Sequence, residues 1–233
     1  MMEMRAFGVK RPIVVILNGI DVREYSEAES HFLPDQFIFV GRLVFYKNLD
    51  VVIRAFPGLL LKVPNATLIV VGDGPMRDEW CALTSRLGIE SHVKFVGKVA
   101  HKEKVRLLSE SAALLLPSLL EGFGIVILEA FACRRPAIVA DVPPLSDLVS
   151  NGTDGFVVSP FDDQAWSRCL ESLAQKPEAV RLMGRNGRTK LEQAYTIESV
   201  VDKLEEAYLC TKFALRRRTL DSKLFQTNVD LKA

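Results

Sequence analysis

Apolar residues in this chain fall into short, nearly unbroken blocks, and most blocks are followed by a longer stretch in which apolar positions recur every third or fourth residue. The blocks Phe37-Ile38-Phe39-Val40, Ala66-Thr67-Leu68-Ile69-Val70-Val71, Val93-Lys94-Phe95-Val96, Ala112–Leu116, Ala137–Ala140 and Phe156-Val157-Val158 predict strands. The periodic stretches predict helices over Leu49–Leu61, Pro75–Leu87, Lys102–Ser109, Asp162–Gln175 and Glu178–Gln193, with a long last helix from Ile197 towards Arg218. Pro57 is expected to distort the first of these, because proline removes a helical donor. Pro75 suits a first turn, and Gly88 suits a C-terminal cap. Pro12–Leu17 predicts a short strand entering the domain.

Strands that alternate with helices predict an α/β fold: a Rossmann-like, doubly wound parallel sheet of about six strands with helices on both faces. The expected organisation is an entry segment over residues 1–17, one domain over residues 18–218, and a polar tail over residues 219–233. Arg216-Arg217-Arg218 reads as a solvated helix end near the negative pole of the helix dipole.

Composition narrows the function. The 233 residues suffice for one sizeable core, and 48% hydrophobic with 25% charged residues is ordinary for a soluble domain. A net charge of +1 supplies no global field for nucleic acid or an acidic membrane, and no nucleic-acid partner is expected. No apolar run approaches the ~20 residues of a membrane span, and Met1–Leu17 lacks a small-residue cleavage site. Cys81, Cys133, Cys169 and Cys210 are widely separated, and His31, His92 and His101 are scattered. That spacing argues against zinc and against a redox dithiol, and free thiols suit a reducing, cytoplasmic setting. No metal or cofactor is expected.

The most informative stretch is Glu121-Gly122-Phe123-Gly124-Ile125-Val126-Ile127-Leu128-Glu129. It follows the Ala112–Leu116 strand and continues as a helix. In an open parallel sheet this places Glu121 in the crevice beyond a strand's carboxyl end. The amides near Gly124 would sit at a helix N-terminus, which favours a phosphate. Glu129 falls about 8 Å further along, at 1.5 Å rise per residue. Its apolar neighbours demand partners for the carboxylate. Two acceptors flanking an anion site suit a ligand with hydroxyls on both sides of a diphosphate.

Two further loops end strands. In Val40-Gly41-Arg42-Leu43-Val44-Phe45-Tyr46-Lys47-Asn48 an arginine fork and a lysine point charge can both reach the crevice and clamp a diphosphate. Val70-Val71-Gly72-Asp73-Gly74-Pro75 fits a dinucleotide fingerprint poorly, because the third glycine is missing. Gly72 and Gly74 read equally as a tight turn or as a ligand contact.

The Glu121–Glu129 stretch resembles the E-x7-E motif of family 4 glycosyltransferases, the large retaining group built on the GT-B fold. The resemblance runs from about Asn18 to about Leu209. Further blocks recur in order: Gly41–Asn48 is similar to G-R-L-x-x-x-K-G, Gly72–Pro75 to G-x-G-P, Val93–Gly97 to V-x-F-x-G, and Cys133–Ala140 to C-G-x-P-V-I-A. Asn151–Val158 is similar to the family's hairpin before the C-terminal helices. Two positions depart from the pattern, since Asn48 and Arg134 stand where glycine is usual. Asn tolerates left-handed backbone angles, and Arg134 should cost a little stability at a helix end.

The resemblance implies a donor site for a nucleotide diphosphate sugar and a metal-independent, retaining glycosyl transfer. It implies that Arg42 and Lys47, beside Gly41, hold the phosphates, that Glu121 contacts the donor sugar, and that Glu129 takes the ribose hydroxyls. Gly122, Phe123, Gly124 and Ile125 would line the site, with Gly72, Gly74 and the backbone around Phe95 bordering the nucleotide. The Phe95 side chain itself reads as core by strand alternation. The family's other Rossmann-like domain, which precedes this one and supplies the acceptor site, is not recognisable here, so an N-terminal acceptor domain or partner subunit is expected. Full-length members often work at a membrane surface, which makes peripheral membrane association an expectation for the full enzyme. Two alternatives stay open: a stand-alone nucleotide-sugar-binding module and another GT-B activity such as an epimerase. The full E-x7-E with its Arg/Lys pair argues against the latter.

Overall fold

The computed structural model describes residue 8 and residues 13–25 and 32–210. Its six parallel strands are β1 (Leu33–Val40), β2 (Thr67–Val71), β3 (Val93–Gly97), β4 (Ser111–Leu116), β5 (Ala137–Ala140) and β6 (Gly155–Val158). They lie in the order β3-β2-β1-β4-β5-β6. The chain therefore walks outward from β1 to β3, returns to the other side of β1, and walks outward again from β4 to β6. The helices that follow β1 and β4 pack on opposite faces, so this turning point is where a parallel sheet of this kind places its ligand crevice, at the carboxyl edge.

The helices are α1 (Leu49–Leu60), α2 (Arg77–Arg86), α3 (His101–Glu110), α4 (Ile125–Ala132), α5 (Leu145–Leu148), α6 (Asp163–Gln175) and α7 (Pro177–Ala194). Strand alternation assigns them to the two faces. Phe37 and Phe39 of β1 join a core with α1, α2 and α6, through Phe56, Trp80 and Trp166. Ile38 points the other way, into a core with α3, α4 and α5, through Leu108, Phe131 and Leu145. Every residue of β4 is buried, as befits a strand covered on both sides.

Local chemistry sets the boundaries. Asp162 caps α6 by accepting a hydrogen bond from the Ala165 amide at 2.8 Å. Gly88 follows α2 at φ +68°, and Pro177 opens α7. α1 continues through Pro57 because Phe56 and Leu59, on either side, are fully buried and hold the last turn on the sheet. Arg134 adopts φ 55° just after α4, where its amide donates to Phe131 O at 2.9 Å. A side chain there costs ~1 kcal/mol or more relative to glycine.

Three expectations need correction or restriction. Residues 13–19 form no strand; Val14 and Val15 are exposed, and the sheet neighbours of β1 are already β2 and β4. Gly19 lies close against Thr196, and Ile20 bridges Thr196. The hairpin expected over Asn151–Val158 is a turn feeding β6, which pairs in parallel with β5. Within that turn the Gly152 amide donates to Gly155 O at 2.8 Å. The last helix is described from 197 to 210; its expected continuation, Arg216-Arg217-Arg218 and the tail lie outside the described residues.

Candidate functional site

The loop after β1 is built by close backbone approach. A Cβ on Gly72 would lie 1.9 Å from Gly41 O, and one on Gly74 would lie 2.3 Å from Leu43 O. The Leu43 amide donates to Asp73 O at 3.0 Å, and the Met76 amide donates back to Leu43 O at 3.0 Å. Gly72 and Gly74 are thus required by contact between the loops that follow β1 and β2. That contact holds the Arg42–Lys47 segment against the sheet edge. The segment closes in a 3-10 turn, Phe45–Lys47, and Asn48 then takes a left-handed conformation at φ 53° before α1 begins. The Asn48 side-chain amide donates to Pro117 O at 3.2 Å and to Pro160 O at 2.8 Å. It thereby ties the β1 loop to the loops after β4 and β6.

Lys47 and Glu121 meet across the turning point between β1 and β4. Their ammonium and carboxylate form an ion pair, with each side chain 13% exposed. Ser118 Oγ donates to the same carboxylate oxygen at 3.0 Å. The Leu119 amide donates to Tyr46 O at 2.8 Å and fixes the two loops to one another. Arg42 lies at the outer end of this row, where its guanidinium donates to the Tyr46 hydroxyl at 2.7 Å. Lys47 from one loop and the Ser118 hydroxyl from the other therefore meet on the Glu121 carboxylate.

Gly124 sits at φ 87° as the residue before α4 and accepts from the Ile127 amide at 2.8 Å, which leaves the Ile125 and Val126 amides at the helix end without helical partners. A Cβ on Gly124 would come within 2.9 Å of Leu145 Cδ2. Gly122 and Ile125 are exposed, whereas Phe123 packs into the α3/α4 core and against the Tyr195 ring at 6.3 Å. Glu129, on α4, accepts from Lys104 Nζ at 2.7 Å and from the Tyr25 hydroxyl at 3.2 Å, both on Oε1. Burial, and after it the adjoining Glu129 carboxylate, pushes the Tyr25 hydroxyl far above the usual tyrosine range, so Tyr25 is a neutral donor.

Of the residues singled out from sequence, Arg42, Lys47 and Glu121 come together with Gly41 at the crevice. Glu129 sits in a separate cluster on the same loop-helix unit. Phe95 packs its ring against the α1/α2 core, and its carbonyl lies 3.5 Å from the Arg77 guanidinium. Ser118, Tyr46, Tyr25 and Lys104 escaped the sequence reading. Tyr25 could have been noticed as the lone aromatic between Asn18 and His31, but nothing marks Lys104 among the charges of α3. Among the described residues no group of three or more His, Cys, Asp or Glu could hold a metal ion, and no helix is long and apolar enough to cross a membrane. An open cavity of about 450 Å³ lined by Arg134, Arg135, Arg181, Arg185 and Arg188 lies at the opposite, amino edge of the sheet, below β5.

Comparison with known proteins agrees with this architecture. Residues 25–190 match the family described as glycosyl transferases group 1. The chain is 30% identical over 202 residues to glycogen synthase of Mycobacterium tuberculosis, covering 86% of this chain and 49% of that protein. It is 33% identical over 212 residues to D-inositol 3-phosphate glycosyltransferase of Rhodococcus jostii, covering 84% of this chain and 47% of that protein. The chain thus spans about half the length of these curated relatives. Its fold is similar to that of HepE from Anabaena, with a TM-score of 0.74 at 24% identity over 84% of this chain and 57% of that one. It is also similar to TarM of S. aureus, with a TM-score of 0.78 at 18% identity over 88% of this chain and 41% of that one. With the match covering most of the described domain, the chain belongs to the group 1, or family 4, glycosyl transferases.

Proposed function

We propose that this chain is the donor-binding half of a retaining, metal-independent glycosyltransferase, and that its crevice takes a nucleotide diphosphate sugar. The observation that carries the reading is the Lys47–Glu121 pair, set across the turning point of the sheet beside Arg42 and the N-terminus of α4. Departure of a nucleoside diphosphate builds negative charge on phosphate oxygens, and fixed cations with helix amides stabilise that charge. Arg42 and Lys47 fill this role. An ammonium has three donors, so Lys47 can keep Glu121 while it turns another to a phosphate. Glu121 then contacts the donor sugar, and Glu129 takes the ribose hydroxyls. Because these cations neutralise the diphosphate, the transfer proceeds without a metal.

Support also comes from the relatives, named as a glycogen synthase and a D-inositol 3-phosphate glycosyltransferase, and from HepE and TarM, whose structures hold UDP. The acceptor is assigned to a further domain or a partner subunit, in a cytoplasmic setting that suits four free thiols. Calorimetric titration with UDP-, GDP- and ADP-glucose tests the reading. One of them, or its free nucleoside diphosphate, should bind with a micromolar to millimolar Kd, and Glu129→Ala should weaken that binding. No heat from any of the sugars or nucleotides would contradict it.

A further inference from the structure

Glu129 is held more tightly than an acceptor needs to be. Lys104 reaches it from α3, whose Val105, Leu107 and Leu108 are buried against the sheet and fix the helix in place. Tyr25 reaches it from the 3-10 turn Val22–Tyr25, where the ring is buried and stacks edge-on against His101 with centroids 5.4 Å apart. Both donors end on Oε1. A carboxylate oxygen offers two lone-pair directions, so Lys104 and Tyr25 occupy both. Among the described residues no donor reaches Oε2, and the Glu129 side chain keeps 12% of its surface exposed. The Lys104 bond is charge-assisted and the stronger of the two.

We infer that Lys104 is a positioning residue that pins Oε1 of Glu129, leaves Oε2 as the acceptor presented to the ligand, and so sets the preference for a ribose over a 2′-deoxyribose nucleotide. The inference rests on the donor-site reading above. Without Lys104 the carboxylate gains rotational freedom, and the advantage of the ligand's 2′-hydroxyl falls. Lys104 also cancels one negative charge beside an anionic ligand, and that effect is the same for ribose and deoxyribose. The ratio of the two affinities therefore isolates positioning from charge.

The experiment measures Kd of the full chain for UDP, GDP and ADP and for their 2′-deoxy counterparts, with wild type, Lys104→Met and Lys104→Arg. Far-UV circular dichroism and a thermal melt establish that each variant is folded. For the nucleotide that wild type binds, the ribose form should bind at least about tenfold more tightly, the scale of one hydrogen bond to a charged group. Lys104→Met should reduce that ratio to within about threefold of unity, and Lys104→Arg should restore most of it. Should Lys104→Met fail to fold, Lys104→Gln takes its place with the same two outcomes. Equal weakening of ribose and deoxyribose binding in Lys104→Met, with the ratio unchanged, would overturn the inference and leave the donor site standing. Absence of binding by wild type would overturn the donor-site reading and this inference with it.

Discussion

Replacing Asn48 by glycine would restore the family's usual residue, and the structure predicts that it destabilises the chain. Two effects act on the backbone. Asn48 sits at φ 53°, so glycine relieves a left-handed conformation worth at most ~1 kcal/mol for asparagine. Glycine also adds unfolded-state entropy of roughly 0.5–1 kcal/mol, and the two nearly cancel. What remains is the side chain. Its amide donates to Pro117 O at 3.2 Å and Pro160 O at 2.8 Å, and the residue is only 9% exposed. Two hydrogen bonds contribute roughly 0.5–1.5 kcal/mol each, and carbonyls left unpaired inside the protein raise the cost, for a net loss of about 2–3 kcal/mol. In a domain of this size that lowers Tm by about 4–12 °C. Asn48→Ala should cost about 0.5–1 kcal/mol more, because alanine pays the left-handed penalty in full but lacks glycine's added unfolded-state entropy. Urea unfolding followed by circular dichroism measures both. An Asn48→Gly chain as stable as wild type, or more stable, would refute the reasoning and reduce Asn48 to a backbone position.

Other outcomes follow from the same geometry. Lys47→Ala should weaken nucleoside diphosphate binding by roughly ten- to a hundredfold while leaving any binding of the nucleoside unchanged, as calorimetry can show. A uniform loss for both would place Lys47 away from the phosphates. Gly184→Ala should cost about 3 kcal/mol in urea unfolding, since its Cβ would lie 1.9 Å from Arg134 O, backbone against backbone. An unaltered midpoint would mean that α7 and the end of α4 are not in that contact. Burial pushes the Cys133 thiol from its usual 9.0 up to about 12. The unfolded chain then loses this proton near pH 9 while the folded chain keeps it. The stability it contributes is full below pH 9 and falls by up to about 1.4 kcal/mol per unit as pH rises toward 12. Tyr25, also raised, acts in the same direction above pH 10. Unfolding free energies measured from pH 8 to 11 should therefore decline less steeply in Cys133→Ala than in wild type, and identical slopes would contradict the assignment.

Much of the fold was legible because the signals were local. Blocks such as Ala112–Leu116 have no polar face and are too short for a helix, which suits strands covered on both sides, and Gly88 and Asp162 mark helix ends by chemistry that acts within a few residues. The failures share a different cause. Pro12–Leu17 has strand composition, but a strand also needs a free neighbour, and β1 has none to offer. The Asn151–Val158 segment has turn residues in hairpin spacing, yet β6 finds its partner in β5, far back in sequence. At the site, Glu121, Glu129, Arg42 and Lys47 stood out because charge in apolar or glycine-rich surroundings demands an explanation. Their partners did not. Lys104 meets Glu129 only because α3 and α4 pack side by side, and Asn48 reads as a tolerated substitution until its amide is seen bridging two distant prolines.

In the proposed reading a nucleoside diphosphate sits at the carboxyl edge of the sheet, between the loops that follow β1 and β4. Hydrogen-exchange mass spectrometry of the chain with and without saturating nucleoside diphosphate tests it most directly. Exchange should slow in peptides spanning residues 41–48 and 118–129, with little change at residues 181–192. Protection confined to the arginine-lined face around Arg181 and Arg188, or none in the two crevice loops of a chain that binds the nucleotide, would contradict it.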